Sequence, residues 1–306
     1  MRRVLWIAAI VALAALPAIT SALGQPYYLE LARRILILAI AAVSLDLILG
    51  YGGMVSFGHA AYLGIGGYAV GILAFYGVSN GWLQLAVAIA GSALVAAAIG
   101  AVSIRTSGIY FIMITLAFTQ MLYYLGISLE EFGGDDGMRL RSRSDFGFLD
   151  LGDSLQFYYF ALVLLLGAVY LTQRIVHSRF GVVIRAAKSN EARTGAVGFS
   201  AYPYRLLAFV IAGAIGGLAG ALYANHTGYI TPGLMSWQQS GELMFMVILG
   251  GMASAAGPLL GASALLLLEE LLKGWTEHWQ VILGPLLVLS VVFFKRGLSG
   301  IFSRDA

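Results

Sequence analysis

Stretches of about 20 apolar residues recur along almost the whole chain and restrict it to a protein that crosses a membrane repeatedly. The composition agrees, since 60% of the 306 residues are hydrophobic and only 11% are charged. We therefore expect an all-α polytopic membrane protein with about eight to ten transmembrane helices. The candidate spans are residues 4–23, 34–50, 57–77, 82–104, 108–127, 155–173, 206–225, 241–252, 257–272 and 279–294.

Two places in this series predict interrupted helices. Segment 241–252 is short for a span, and only a run of small residues separates it from the marginal segment 257–272. We expect a broken or re-entrant pair there, with its irregular backbone buried in protein. Glycines at positions 50, 52 and 53 predict a similar break before the third span.

The first apolar run follows Arg2 and Arg3 and has two interpretations. Residues 22–24 (Ala-Leu-Gly) resemble a signal-peptide cleavage site. However, the run is long enough to cross a bilayer and further spans follow it. We expect an uncleaved first helix.

The distribution of Lys and Arg predicts the orientation, because cytoplasmic loops carry an excess of both. With the N-terminus inside and ten spans, twelve of these residues fall in the cytoplasm and six outside. The loop 174–205 has six Lys or Arg and one acid, whereas the loop 128–155 has seven acids and three Arg. We expect both termini and the basic loop in the cytoplasm, the acidic loop outside, and residues 1–306 in a single transmembrane domain.

The basic loop is longer than a turn between two helices requires. Ser189 or Asn190 can cap a short helix, Glu191 is favourable in its first turn, and Gly198 can end it. A helix of about two turns is not stable alone. Two interpretations remain open: a basic loop that fixes topology and touches lipid headgroups, or an element that docks to a cytoplasmic partner.

The sequence lacks the motifs of several other protein classes. It has no cysteine, no G-x-x-x-x-G-K-[ST] motif for ATP, and four histidines scattered over different loops and spans. The net charge of +3 reflects loop topology, so no nucleic-acid partner is expected. We predict no catalytic residue, no metal site and no cofactor, and we expect the energy source to be another subunit.

Six sequence blocks occur in a recognisable order. They are LDLILGYGGMVSFGHAAY at 45–62, RTSGIYF at 105–111, SNEAR at 189–193, LGGM at 249–252, GPLLGA at 257–262 and RGLSG at 296–300. Together they resemble the permeases of branched-chain amino-acid ABC importers, and specifically their LivM-type subunit. The resemblance covers nearly the whole chain, with one mild departure: Asp46 stands where the family usually has Asn.

The resemblance implies a permease subunit of an ATP-driven importer for branched-chain amino acids in the bacterial inner membrane. The implied partners are a second, LivH-like permease in a heterodimer, two cytoplasmic ATPase subunits, an extracytoplasmic substrate-binding protein and membrane lipid. Residues 188–198 would form a coupling helix that inserts into an ATPase subunit. The predicted ATPase-coupling residues are Arg185, Lys188, Ser189, Asn190, Glu191, Ala192, Arg193 and Gly198.

The block at 45–62 also suits a substrate path. Its glycines permit irregular backbone and close helix approach, while its polar and aromatic side chains supply hydrogen bonds and apolar walls. His59 can instead satisfy a helix end or pack between helices, and Asp46 can be a structural partner or a functional acid. The candidate path residues are Asp46, Ser56, Phe57, Gly58, His59, Tyr62 and Phe111.

Small residues at four-residue spacing predict tight helix packing, within this chain or against a partner subunit. The positions are Gly213, Gly216, Gly217 and Gly220 on the seventh span, and Gly257 with Gly261.

Three alternatives stay open at this stage. A urea or short-amide importer uses similar permeases. An ion-coupled secondary transporter requires acids deep within its spans, for which Asp46 is the candidate. A membrane-embedded enzyme or signalling scaffold would require a convergent set of polar residues, and the sequence does not suggest one.

Overall fold

The computed structural model describes residues 11–18, 20, 26–276, 278–293 and 297–302. Their regular structure is almost entirely helical, which confirms the predicted all-α class. The helices are α1 (Pro26–Asp46), α2 (Ala60–Phe75), α3 (Gly81–Ser103), α4 (Ile109–Ser128), α5 (Ser154–Val176), α6 (Arg179–Ser189), α7 (Glu191–Ala196), α8 (Ala201–Thr227), α9 (Trp237–Gly250), α10 (Gly257–Lys273), α11 (Trp279–Phe293) and α12 (Ser299–Phe302).

Shorter elements complete the fold. A π-helical segment, Leu47–Tyr51, continues α1, and strands β1 (Met138–Arg139) and β2 (Tyr229–Ile230) pair antiparallel. Three 3₁₀ turns lie at Glu130–Phe132, Gly134–Asp136 and Pro232–Met235. Of the predicted first span, residues 11–18 are described and helical. Its cleavage site and the charges at positions 2, 3, 295, 296 and 304 lie outside the described residues.

Long apolar helices make this a multi-pass membrane protein. Within the described ranges, five segments are long and apolar enough to cross a membrane. Their outward side chains are apolar as well: Ile109, Tyr110 and Met113 on α4 are 72%, 72% and 62% exposed. An apolar exterior of this kind is suited to lipid rather than water. The segments are Tyr27–Tyr51, Gly81–Ser103, Ile109–Ser128, Ser154–Val176 and Ala201–Thr227.

Helix α1 lies at the centre of the bundle. Its most apolar stretch is 89% buried, and it packs against α5, α8, α9 and α10. Helix α8 packs across α2 and α3. Close approach at these crossings depends on residues without side chains, since helices held by van der Waals packing need small residues where their backbones meet.

The six glycines predicted to pack helices all have close neighbours within this chain. A Cβ added at Gly220 would strike the Leu63 carbonyl of α2, and one added at Gly261 would strike the Met246 carbonyl of α9. The nearest neighbours of the other four are Ala96 for Gly213, Tyr62 for Gly216, Ser92 for Gly217 and Gly251 for Gly257.

The bundle has two chemically different ends, which we call the basic end, carrying loop 174–205, and the acidic end, carrying loop 128–155. At the acidic end, Asp145 exchanges backbone hydrogen bonds with Ser79 and Gly81, at 2.7 and 2.6 Å. At the basic end, the Tyr202 hydroxyl donates to the Ala101 carbonyl at 3.0 Å. The two charged loops therefore lie on opposite ends, as the sequence predicted.

Both predicted helix breaks are present. After the π segment the backbone is irregular from residue 52 to 59, with Gly53 at φ 70°. Residues 251–256 form a turn between the 14-residue α9 and the 17-residue α10. The sequence predicted that the irregular backbone of this second break would be buried in protein, but the turn is partly exposed in this chain, with Met252 51% exposed. The turn lies at the basic end of the bundle.

Candidate coupling and translocation site

The basic loop folds into two consecutive helices rather than one. Asn190, not Ser189, caps α7, since its Oδ1 accepts the Arg193 N–H at 2.9 Å. The chain leaves α7 through Gly198 at φ 96°, a conformation that glycine adopts without strain. Helix α6, which precedes it, was not predicted.

The surface of α7 is largely exposed. Glu191, Ala192 and Arg193 are exposed, whereas Thr194 is buried and donates its hydroxyl proton to the Asn190 carbonyl at 2.9 Å. Just beyond the helix, Val197 is 75% exposed. A two-turn helix with exposed apolar and charged residues offers an unpartnered surface at the basic end.

Arg205 joins this pair of helices to α8, and sequence reasoning did not identify it. Its Nη1 donates to Glu191 Oε2 at 2.7 Å, and its Nη2 donates to the Ala187 carbonyl at 3.2 Å. The N-terminal part of α8 is thereby tied to the joint between α6 and α7. The only sequence signal was an arginine at the start of a predicted span.

Lys188 connects α6 to the first helix break. Its Nζ donates to the Gly50 carbonyl at 2.5 Å. That carbonyl lies in the π segment, where the backbone N–H groups of Gly53 and Met54 bond instead to Leu49 and Ile48. Lys188, predicted as part of a docking element, thus directs its amine toward the bundle. Arg185 lies one turn earlier on α6, exposed, and donates within its own helix to Gly181.

Asp46 connects α1 to the second helix break. Its side chain is buried, and Oδ1 accepts the backbone N–H of Ala253 at 2.8 Å. Among the described residues, Ala253 is the one non-glycine with positive φ, at 55°. Next to this turn, at the end of α9, the Leu298 N–H donates to the Leu249 carbonyl at 2.9 Å.

Three of the six remaining candidate path residues lie around His59, inside the bundle. His59 Nε2 lies 2.6 Å from Ser44 Oγ, and its ring meets Tyr62 edge-on at 5.4 Å. Phe209, which sequence reasoning missed, lies 5.9 Å from Tyr62 and 6.1 Å from Phe111, centroid to centroid. The structure therefore brings His59, Tyr62 and Phe111 into one cluster and leaves Asp46 outside it.

Three other candidates line the entry to α2. Ser56 Oγ accepts the Gly58 N–H at 3.1 Å, and Phe57 is half-buried beside Gly241. Ser240, also missed, accepts the Ala60 N–H at 3.1 Å from α9. The Ser240 bond satisfies the first N–H group of α2, which has no side-chain cap of its own. His59 and Tyr62 are 1% and 0% exposed, so this part of the cluster is closed to solvent in this conformation.

A cavity of about 130 Å³ opens at the basic end, next to the first helix break. It lies between the start of α4 and two side chains, Lys188 of α6 and Arg205 of α8. Its lining combines two cations with glycines and an aromatic ring: Gly52, Gly53, Met54, Val55, Ile104, Thr106, Ser107, Gly108, Phe111, Ile112, Lys188 and Arg205.

Comparison with known proteins decides the family. The family described as branched-chain amino acid transport system, permease component, matches residues 27–291. This chain belongs to that family. The permease so identified is a transport component and not an enzyme. Membership of this family does not favour the alternative hypotheses of a urea importer or an ion-coupled transporter.

Individual relatives agree with the family. The permease is 26% identical to the high-affinity branched-chain amino acid permease LivM of Salmonella typhimurium, over 88% of this chain and 69% of the relative. It is 25% identical to LivH of Escherichia coli K12, over 86% and 91%. A probable LivM of Methanocaldococcus jannaschii is 25% identical over 80% and 81%. No solved structure matches the chain.

Proposed function

We propose that this permease is the LivM-type subunit of an ATP-driven importer that moves leucine, isoleucine and valine across the bacterial inner membrane. The observation that carries the proposal is the family match over residues 27–291. The relatives named for branched-chain amino acid transport support the substrate class. The basic end of the bundle would face the cytoplasm.

The proposed complex contains several other subunits. Relatives of both LivM and LivH type support a core of two non-identical permease chains. Separate ATPase subunits would bind at α7, and a substrate-binding protein would deliver the amino acid at the acidic end. The exposed helix α7 and its Asn190 cap support the docking assignment, because an ordered, unpartnered helix can be bound without first being folded.

The cluster around His59 is the proposed translocation path. Tyr62, Phe111 and Phe209 supply aromatic walls suited to a branched side chain, while Ser44 and His59 supply polar atoms. Its closed packing fits a state between substrate entry and release. Transport would alternate between states open to either side, with ATP binding and hydrolysis shifting the population between them.

Uptake by the reconstituted complex tests the proposal. The tagged permease is purified with its associated subunits and placed in liposomes that contain ATP, with binding protein and labelled substrate outside. We expect labelled leucine to accumulate with ATP but not with a non-hydrolysable analogue, and excess isoleucine or valine to reduce its uptake. Accumulation of urea without leucine, or leucine uptake driven by an ion gradient without ATP, would contradict the proposal.

A further inference from the structure

We propose that Lys188 transmits movement of α6 and α7 to the two helix breaks, acting as a positioning residue for coupling rather than as part of the ATPase-docking surface. The inference rests on the proposed function and adds the physical connection inside the permease. We call Asp46, the Gly50 carbonyl and Ala253 the junction, because these groups bring both breaks together.

The lysine reaches the junction across a long sequence separation. Lys188 and Gly50 are 138 positions apart, and the amine meets the carbonyl at 2.5 Å. Gly53 makes room for this approach, since a Cβ there would lie 2.8 Å from Lys188 Cγ. The carbonyl is available because the helix ends next to it and the following N–H groups bond elsewhere. The contact thus depends on the helix break itself.

The first break is packed directly against the second. A Cβ added at Gly50 would lie 2.5 Å from the Ala253 nitrogen and would strike the Asp46 carboxyl group. Asp46 in turn holds the Ala253 N–H at 2.8 Å. Ala253 is in a left-handed conformation, which costs free energy for a residue with a side chain. The turn therefore depends on contacts from outside it, such as the Asp46 hydrogen bond. Displacement of Gly50 therefore disturbs the turn between α9 and α10.

Lys188 connects α6 to the junction, a connection that the polypeptide backbone does not provide. Helices α6 and α7 are continuous in sequence with α5 and α8, whereas the junction belongs to α1, α9 and α10. Lys188 thus joins α6 to the first break, and Gly50 at that break packs against the turn between α9 and α10. A hydrogen bond to a charged donor is stronger than a neutral one and is lost when the partners separate. When α6 is displaced, the π segment must follow or the bond must break.

The ratio of leucine transported to ATP hydrolysed in the intact complex tests this inference. Lys188→Met keeps the length of the stem but removes the donor. We expect normal assembly with the ATPases, ATP hydrolysis within about twofold of wild type, and about tenfold less leucine per ATP. Lys188→Arg should recover part of the loss, since its guanidinium can also donate to a carbonyl. The matched control is Arg179→Met on the same helix, a cation that is exposed like Lys188 but lies outside the junction, so we expect an unchanged ratio.

An unchanged ratio in Lys188→Met would overturn the inference, as would loss of ATPase binding, which would assign Lys188 to docking. If Lys188→Met does not fold, Asp46 supplies the second test. Asp46→Asn retains an acceptor for the Ala253 N–H and should keep the ratio, whereas Asp46→Ala should lower it. Equal ratios in these two variants would contradict the inference. Failure of the proposed function would be distinguishable, because the wild-type complex itself would then transport no leucine.

Discussion

At the scale of single residues, the crossing of α8 over α2 and α3 depends on positions where no side chain fits. Gly220 faces the Leu63 backbone, and Gly217 faces Ser92 on α3. Backbone atoms cannot move aside as the tip of a flexible side chain can. A side chain at such a position therefore separates two helices along their length, whereas the same change on an open helix face alters little.

The variant Gly220→Ala tests this packing. We expect the free energy of unfolding to fall by about 1–3 kcal/mol, because the added methyl group meets the Leu63 carbonyl. The matched control is Gly167→Ala on α5, where nothing lies within 4 Å of the added Cβ. That control should be neutral or stabilising by about 0.5–1 kcal/mol, since alanine favours a helix over glycine. Thermal melting of the solubilised protein measures both, and equal melting temperatures would contradict the packing account.

At the scale of structural elements, α7 is too short to be stable by its own hydrogen bonds. It has six residues, and its order depends on the Asn190 cap, the Arg205–Glu191 ion pair and the buried Thr194. Preorganisation of this kind lowers the conformational entropy lost when a partner binds. The strength of ATPase binding should therefore respond to the cap even though Asn190 itself need not touch the partner.

Removal of the cap tests that dependence. Asn190→Ala removes the acceptor for the Arg193 N–H, and loss of an N-cap costs about 1 kcal/mol. We expect affinity for the ATPase subunits to fall about fivefold, while membrane insertion and melting temperature stay close to wild type. Asn190→Asp keeps the acceptor and should bind like wild type. Titration of labelled ATPase against the purified permease gives the affinities. Equal affinities of the alanine and aspartate variants would contradict a dependence of ATPase binding on the cap.

Local patterns allowed the long apolar helices and both helix breaks to be predicted, and narrowed the cap of α7 to Ser189 or Asn190, because each depends on neighbouring residues. Helix α6 was missed since Gly181 and the β-branched run at 182–184 lower its helix propensity. Its signals were the Ser178 cap and a buried face formed by Val183, Ile184 and Ala187. The Asp46–Ala253 contact spans 207 positions, and no periodicity in one sequence indicates such a pairing. The sequence likewise shows that residue 59 is a histidine, but not that its partner is Ser44 on α1.

At the scale of the whole molecule, the proposed function depends on the separation of the two charged ends. Both helix breaks, helices α6 and α7 and the Leu298 contact lie at the basic end. The acidic end carries the loop 128–155 and the β1–β2 pair. Docking of ATPases and delivery of substrate therefore occur, in the account proposed here, on opposite faces of the membrane.

Site-specific crosslinking tests this sidedness and the docking of ATPases together. The chain has no cysteine, so single cysteines can be placed at Val197 beside α7 and at Phe148 in the acidic loop, which are 75% and 74% exposed. Each is labelled with a thiol-reactive photo-crosslinker in the assembled complex. We predict that Val197→Cys crosslinks to an ATPase subunit and that Phe148→Cys does not. In intact cells, a membrane-impermeant maleimide should label only Phe148→Cys. ATPase crosslinks from Phe148→Cys, or labelling of Val197→Cys from outside, would contradict the account.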